Sequence, residues 1–206
     1  PSASSAASDV YKRQVLKGKK ILQNDIVQYS GMSKELNDFR DKNDKETYWV
    51  NNAFSGMPTY QLGAKYPHNY IKQLDLLIRF LPRPADYLFL YFLGFYFLML
   101  SLKVEYRLAV LGALSFGLST YLIIIIGAGH NAKAHAISYM PFVLGSIIYV
   151  VRKRYLLGFF LTTIFLGLQL TSNHFQMTYY LMFIVMIMAI WFIINCIKEK
   201  DFNHLK

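Results

Sequence analysis

Five apolar segments follow one another in the C-terminal part of the chain, at about 87–102, 108–128, 136–151, 155–170 and 177–197. A bilayer core needs ~20 apolar residues, with ~17 at the lower end. The second and fifth segments reach that length. The first, third and fourth are short and need flanking residues or local thinning. Core helices of a soluble protein are the alternative, but five in succession without a polar face do not suit one. Composition agrees, since 54% of the 206 residues are hydrophobic and only 17% charged, a balance unusual for a soluble domain. The pattern predicts an all-α membrane protein, a polytopic helical bundle of about five transmembrane helices over residues 84–200, with a truncated cytoplasmic tail at 201–206.

The formal charge of +10 does not point to nucleic acid, because the basic residues lie in short clusters beside apolar runs. That arrangement belongs to membrane orientation and contact with membrane lipids. Alternate connections are KVEYR, RKR and the tail KEKDFNHLK; they hold Lys103, Arg107, Arg152, Lys153, Arg154, Lys198, Lys200 and Lys206. The other two connections, GHNAKAH and TSNHFQ, hold only Lys133. Eight against one puts the first set in the cytoplasm. The single cysteine, Cys196, excludes an internal disulfide and a cysteine-cluster metal site. No internal repeat is visible, which removes one sign of a transporter.

Residues 1–14, with SSAASDVYKRQ at 4–14, back-translate into a string that resembles the transposase adapter of sequencing libraries. They read as a non-native scar, so Val15 is an artificial start. Residues 15–83 then form an extracytoplasmic segment of helix and loop. Ile26, Tyr29, Met32, Leu36 and Phe39 recur at helical spacing, with Gly31 weakening the pattern locally. FSGMPTYQLGAKYPHNY reads as loop. YIKQLDLLIRFLP reads as an interfacial helix over 70–81, ended by Pro82 and Pro84.

On this topology three polar elements share the outer face: residues 15–83, GHNAKAH and TSNHFQ. No acid falls inside the five segments, which argues against proton-coupled transport. Among the external acids Asp25 stands apart, with Gln28 one turn away on the same face. A solvated or helix-capping acid is the plainer role for it. His130, Lys133, His135 and His174 lack the spacing and the acidic partners of a zinc site. Basic and amide groups at helix ends suit an anion better, with Asn131 as a cap and exposed N–H groups favouring phosphate. Contact with lipid headgroups by an ordinary loop is the competing explanation.

WVNNAFSGMPTYQ, GHNAKAHAISYMPFVLG and TSNHFQMTYY, with an Asp–x–x–Gln near the start, resemble the YfhO family of bacterial membrane proteins. The resemblance covers essentially all of residues 15–206, and its second motif is the most specific. It implies a GT-C-like fold and transfer of a sugar from a polyprenyl-phosphate donor to a cell-envelope glycan or polymer, outside the bacterial cytoplasmic membrane. Asp25 then corresponds to the catalytic base of the first external loop. His130, Asn131, Lys133 and His135 would bind donor phosphate, and Gln28, Trp49, His174 and Gln176 would contact substrate. No cofactor is implied, with a divalent metal left open. The family continues beyond the present C-terminus, so the chain reads as an N-terminal fragment. A flippase for lipid or polysaccharide, or a membrane scaffold, is the reading from another class.

Overall fold

A computed structural model describes residues 23–198, so the expected scar at 1–14 and the expected tail at 201–206 lie outside the described residues. The chain divides into two compact units, one built from residues up to Tyr70 together with Ile124–His130, the other from Ile71–Ile123 and Asn131 onward.

The first unit begins with helices α1 (Asn24–Met32) and α2 (Lys34–Asn43). The single helix expected over 26–39 is thus two, broken at Ser33, which is buried. Of the expected stripe only Leu36 is fully enclosed, packing with Val50 and Leu62 against Met32 and Met57. The segment read as loop contains the second strand of a two-stranded hairpin, β1 (Trp49–Val50) and β2 (Met57–Pro58), followed by a 3-10 turn at Thr59–Gln61. Glu35 ties α2 to the hairpin by accepting the backbone N–H groups of Asn51 and Asn52. The Arg40–Glu46 pair, 2.6 Å apart, closes the end of α2, and its hydrogen bond holds the Glu46 carboxyl below its ordinary range.

The second unit holds most of the apolar sequence. Its helices are α3 (Tyr70–Ile78), α4 (Ala85–Ser101), α5 (Tyr106–Gly117), α6 (Thr120–Ala128), α7 (Asn131–Val151), α8 (Tyr155–Leu170) and α9 (Phe175–Lys198). The last residues of α6 belong to the first unit. Glu105 starts α5 by accepting the N–H groups of Arg107 and Leu108, the usual remedy for unpaired donors at a helix start. The segment expected to run unbroken over 108–128 is instead the bent pair α5 and α6, which turn by 45°. Gly117, Ser119 and Thr120 are poor helix formers, and they fall at the break.

α7 and α9 are each long and apolar enough to cross a membrane, and α5 with α6 would make a third span if counted as one. α4 and α8 are apolar but shorter, at 17 and 16 residues. α7 is the central helix, 61% buried along its apolar window against 11% for α9. It packs on α4 and α8 through Leu90, Tyr139, Phe142 and Leu168. Gly94 lets α4 and α7 meet closely, because a Cβ there would come within 2.9 Å of the Ser138 carbonyl oxygen. The outer side of α9, by contrast, shows Ile187, Trp191 and Ile197 at 55–64% exposure. Such contiguous apolar surface is what a lipid-facing helix presents.

α3 has the reverse of the polarity expected for a helix on water. Asp75 and the following Arg79 are 0% and 8% exposed, whereas Leu77 and Phe80 are 74% and 71% exposed. Charge turned inward and apolar side chains turned outward make sense against hydrocarbon. Single cysteines at Leu77 and Phe80, spin-labelled in a Cys196→Ser background in nanodiscs, should therefore be more accessible to oxygen than to a water-soluble nickel relaxant. The opposite ranking would put this face in water.

Candidate functional site

Asp25 meets the turn that precedes α7. Gln23 is extended and its carbonyl accepts the N–H groups of Ile26 and Val27, so Asp25 falls in the first turn of α1. A carboxylate there also suits the positive end of the helix dipole. At the other end of the contact, α6 terminates on Gly129, whose φ of +94° is readily adopted only by glycine. The Gly129 N–H bonds the Ile126 carbonyl and the His130 N–H bonds the Ile125 carbonyl, the paired closure of a Schellman turn. Gln23 Nε2 donates to the Ile126 carbonyl at 2.5 Å. A Cβ on Gly129 would stand 2.8 Å from Gln23 Cβ and 3.4 Å from Asp25 Cβ. The bare backbone of Gly129 therefore allows the turn to close on α1. In that position His130 Nδ1 lies 2.6 Å from Asp25 Oδ2, with both side chains about half exposed.

The remaining residues singled out in the sequence are distributed over both units. Gln28 is exposed on α1. Trp49 is 53% exposed, its indole packed over Gly56 and its Nε1 donating to Asn51 Oδ1. Asn131 opens α7, and its Oδ1 is buried without a hydrogen-bond partner among the described residues. Lys133 Nζ stands 5.2 Å over the Tyr121 ring, a cation–π distance. His174 Nδ1 accepts the Met177 N–H at the start of α9, and Gln176 Nε2 donates to the Tyr180 hydroxyl.

His135 departs from its expected place among the phosphate ligands. It is 5% exposed, and its Nε2 lies 2.6 Å from Asp75 Oδ1. Around Asp75 the structure assembles a buried polar cluster that the sequence reading did not foresee. Asp75 Oδ1 also accepts from the Tyr139 hydroxyl at 3.0 Å, and Oδ2 accepts from Arg79 Nη2 at 2.8 Å. Arg79 Nη1 reaches Asp86 Oδ2 at 2.8 Å, and Asp86 Oδ1 takes the Tyr87 N–H. Burial alone would push the Asp75 carboxyl up. The hydrogen bonds from His135 and Arg79 outweigh it and hold Asp75 well below the usual carboxylate range. Each oxygen of both carboxylates accepts at least one hydrogen bond, so the cluster joins α3, α4 and α7 rather than offering an open base. Asp86 also corrects the expectation that the apolar helices carry no acid, because α4 starts at Ala85 and encloses it.

A signal for this cluster was present in DLLIR. An Asp and an Arg four apart share one helix face, and here they flank the apolar run Leu76–Leu77–Ile78. Tyr139 and His135, four apart on α7, complete it from a distance that no local pattern specifies.

These features are those of a mainly helical protein of membrane type. Searches of family models, curated proteins and solved structures find no match to the chain. Among the described residues no three His, Cys, Asp or Glu side chains converge as a metal-binding group.

Proposed function

We propose that the chain is part of a GT-C-type glycosyltransferase similar to the YfhO family, with Asp25 as the general base. The observation that supports this reading is the 2.6 Å contact between Asp25 and His130. It joins the aspartate that the resemblance assigns to catalysis with the motif that carries the resemblance most specifically. The chemistry asks little more of the protein. A polyprenyl-phosphate sugar brings its own leaving group, so the enzyme must deprotonate an acceptor hydroxyl and hold the departing phosphate. As the acceptor O–H bond breaks, its proton passes to Asp25. The oxygen forms a bond to the anomeric carbon, and the old carbon–oxygen bond leaves its electron pair on the phosphate.

Lys133, a cation in the first turn of α7, suits that phosphate, as the start of a helix does. His135 is withdrawn from that role, since Asp75 already takes its Nε2. Trp49 has an exposed indole that suits stacking on a sugar ring. The outward apolar face of α3 would lie along the polyprenyl chain. On this reading the protein belongs to the bacterial cytoplasmic membrane, its active face is extracytoplasmic, and its acceptor is a cell-envelope glycan or polymer.

The test uses the full-length gene in a deletion host, with envelope sugars profiled by mass spectrometry. Asp25→Asn should reduce transfer at least ~100-fold, because only the proton acceptor is lost. Binding of undecaprenyl phosphate to the purified variant should survive. Near-normal sugar content with Asp25→Asn would remove the transferase assignment and leave the flippase or scaffold.

A further inference from the structure

Resting on the transferase reading of Asp25, we infer that His130 is the positioning partner of the base and not a ligand of the donor phosphate. Its Nδ1 is committed to Asp25 Oδ2 at 2.6 Å. The contact engages one carboxylate oxygen, Oδ2, which leaves Oδ1 to face an acceptor hydroxyl. A carboxylate held at one oxygen cannot rotate away from its substrate, and orientation of this kind contributes to rate without contributing to ground-state binding.

Three further contacts show that the pairing is built into the fold. The Schellman turn ends α6 so that His130 emerges toward α1. Gln23 anchors the same turn through the Ile126 carbonyl. Gly129 removes the Cβ that would collide with Gln23. During transfer the acceptor proton moves to Asp25 Oδ1, while the imidazole stays against Oδ2. Asp25 then returns the proton to solvent, which both half-exposed side chains reach.

The role separates cleanly from phosphate binding. Loss of a phosphate ligand weakens donor engagement and raises KM, whereas loss of a positioning group lowers kcat. Asparagine can place its amide nitrogen where Nδ1 stands, so it should substitute for the donor. The experiment compares His130→Ala, His130→Asn, Asp25→Asn and the Asp25→Asn/His130→Ala pair. Each is expressed from the full-length gene in the deletion host, with envelope sugar as the readout, and undecaprenyl phosphate binding is measured on each purified protein by native mass spectrometry. Expected results are a loss of ~10- to 100-fold for His130→Ala with binding retained, recovery of most of it by His130→Asn, and no additional loss in the pair beyond Asp25→Asn. If Asp25→Asn abolishes transfer but His130→Ala is silent, or loses undecaprenyl phosphate binding, the positioning role is wrong and the transferase assignment stands. If deletion of the gene, or Asp25→Asn, leaves envelope sugar unchanged, both fall together.

Discussion

Arg79→Met should destabilise the helical unit by about 3–5 kcal/mol, the largest single-residue effect expected in this protein. The side chain is nearly fully enclosed and serves two carboxylates at once, Asp75 and Asp86, each 2.8 Å away. Methionine keeps much of the stem and removes the charge, leaving both acids buried without their cation. Unfolding of the purified protein in mild detergent, followed by helical circular dichroism during titration with SDS, measures the loss. Replacing the two acids as well, in Asp75→Asn/Arg79→Met/Asp86→Asn, should restore most of it, because the cost lies in the unpaired charges more than in the missing salt bridges.

The pH dependence carries a sign that can be checked. In the wild type the Asp75 carboxyl titrates below its unfolded value, so its contribution is fully present above ~3.9 and is lost only as pH falls through the lower folded value. In Arg79→Met the carboxyl has lost its cation, and protonation then relieves the buried charge. The gap between variant and wild type should therefore narrow between pH 7 and pH 4. A constant gap, or one within 1 kcal/mol at pH 7, would mean that water already reaches these carboxylates.

What the sequence conveyed and what it hid follow from the range of the forces involved. Apolar runs and turn residues act locally, and all five segments became helical near the expected limits, with α8 at Tyr155–Leu170 coinciding with its segment. The break inside 108–128 was less legible, because the hydropathy of the run masks the weak helix formers at 117–120. In the N-terminal segment, period alone could not choose which stripe residues are enclosed, and only Leu36 met a hairpin able to cover it. The charged cluster shows the same limit more sharply. Asp75 falls in a segment whose spacing predicts only an interfacial helix, and nothing near it in sequence announces His135 or Tyr139, some sixty residues away. The direct contact of Asp25 with the GHN turn has its cause in the backbone closure at Gly129, which is visible only in three dimensions.

That closure leads to the second large expected effect. On the proposed transferase reading, Gly129→Ala should reduce transfer about as much as His130→Ala, ~10- to 100-fold, although it alters neither partner of the Asp25–His130 contact. Two costs coincide at this position. An L-residue at φ +94° is strained by roughly 1–2 kcal/mol, and the new methyl would stand 2.8 Å from Gln23 Cβ, inside any ordinary contact distance. The turn can relieve both only by moving off α1, which withdraws Nδ1 from the carboxylate. Gly127, two residues earlier, supplies the control: a Cβ there meets nothing within 4 Å, and its backbone φ is not positive. Gly127→Ala should keep full transfer and gain slightly in stability, as alanine for glycine does within a helix. Undecaprenyl phosphate binding should be retained in both variants, because on that reading the displaced turn carries His130 and no phosphate ligand. Equal transfer by Gly127→Ala and Gly129→Ala would show that the Asp25–His130 contact tolerates displacement of the turn, and the positioning role of His130 would then lose its structural basis.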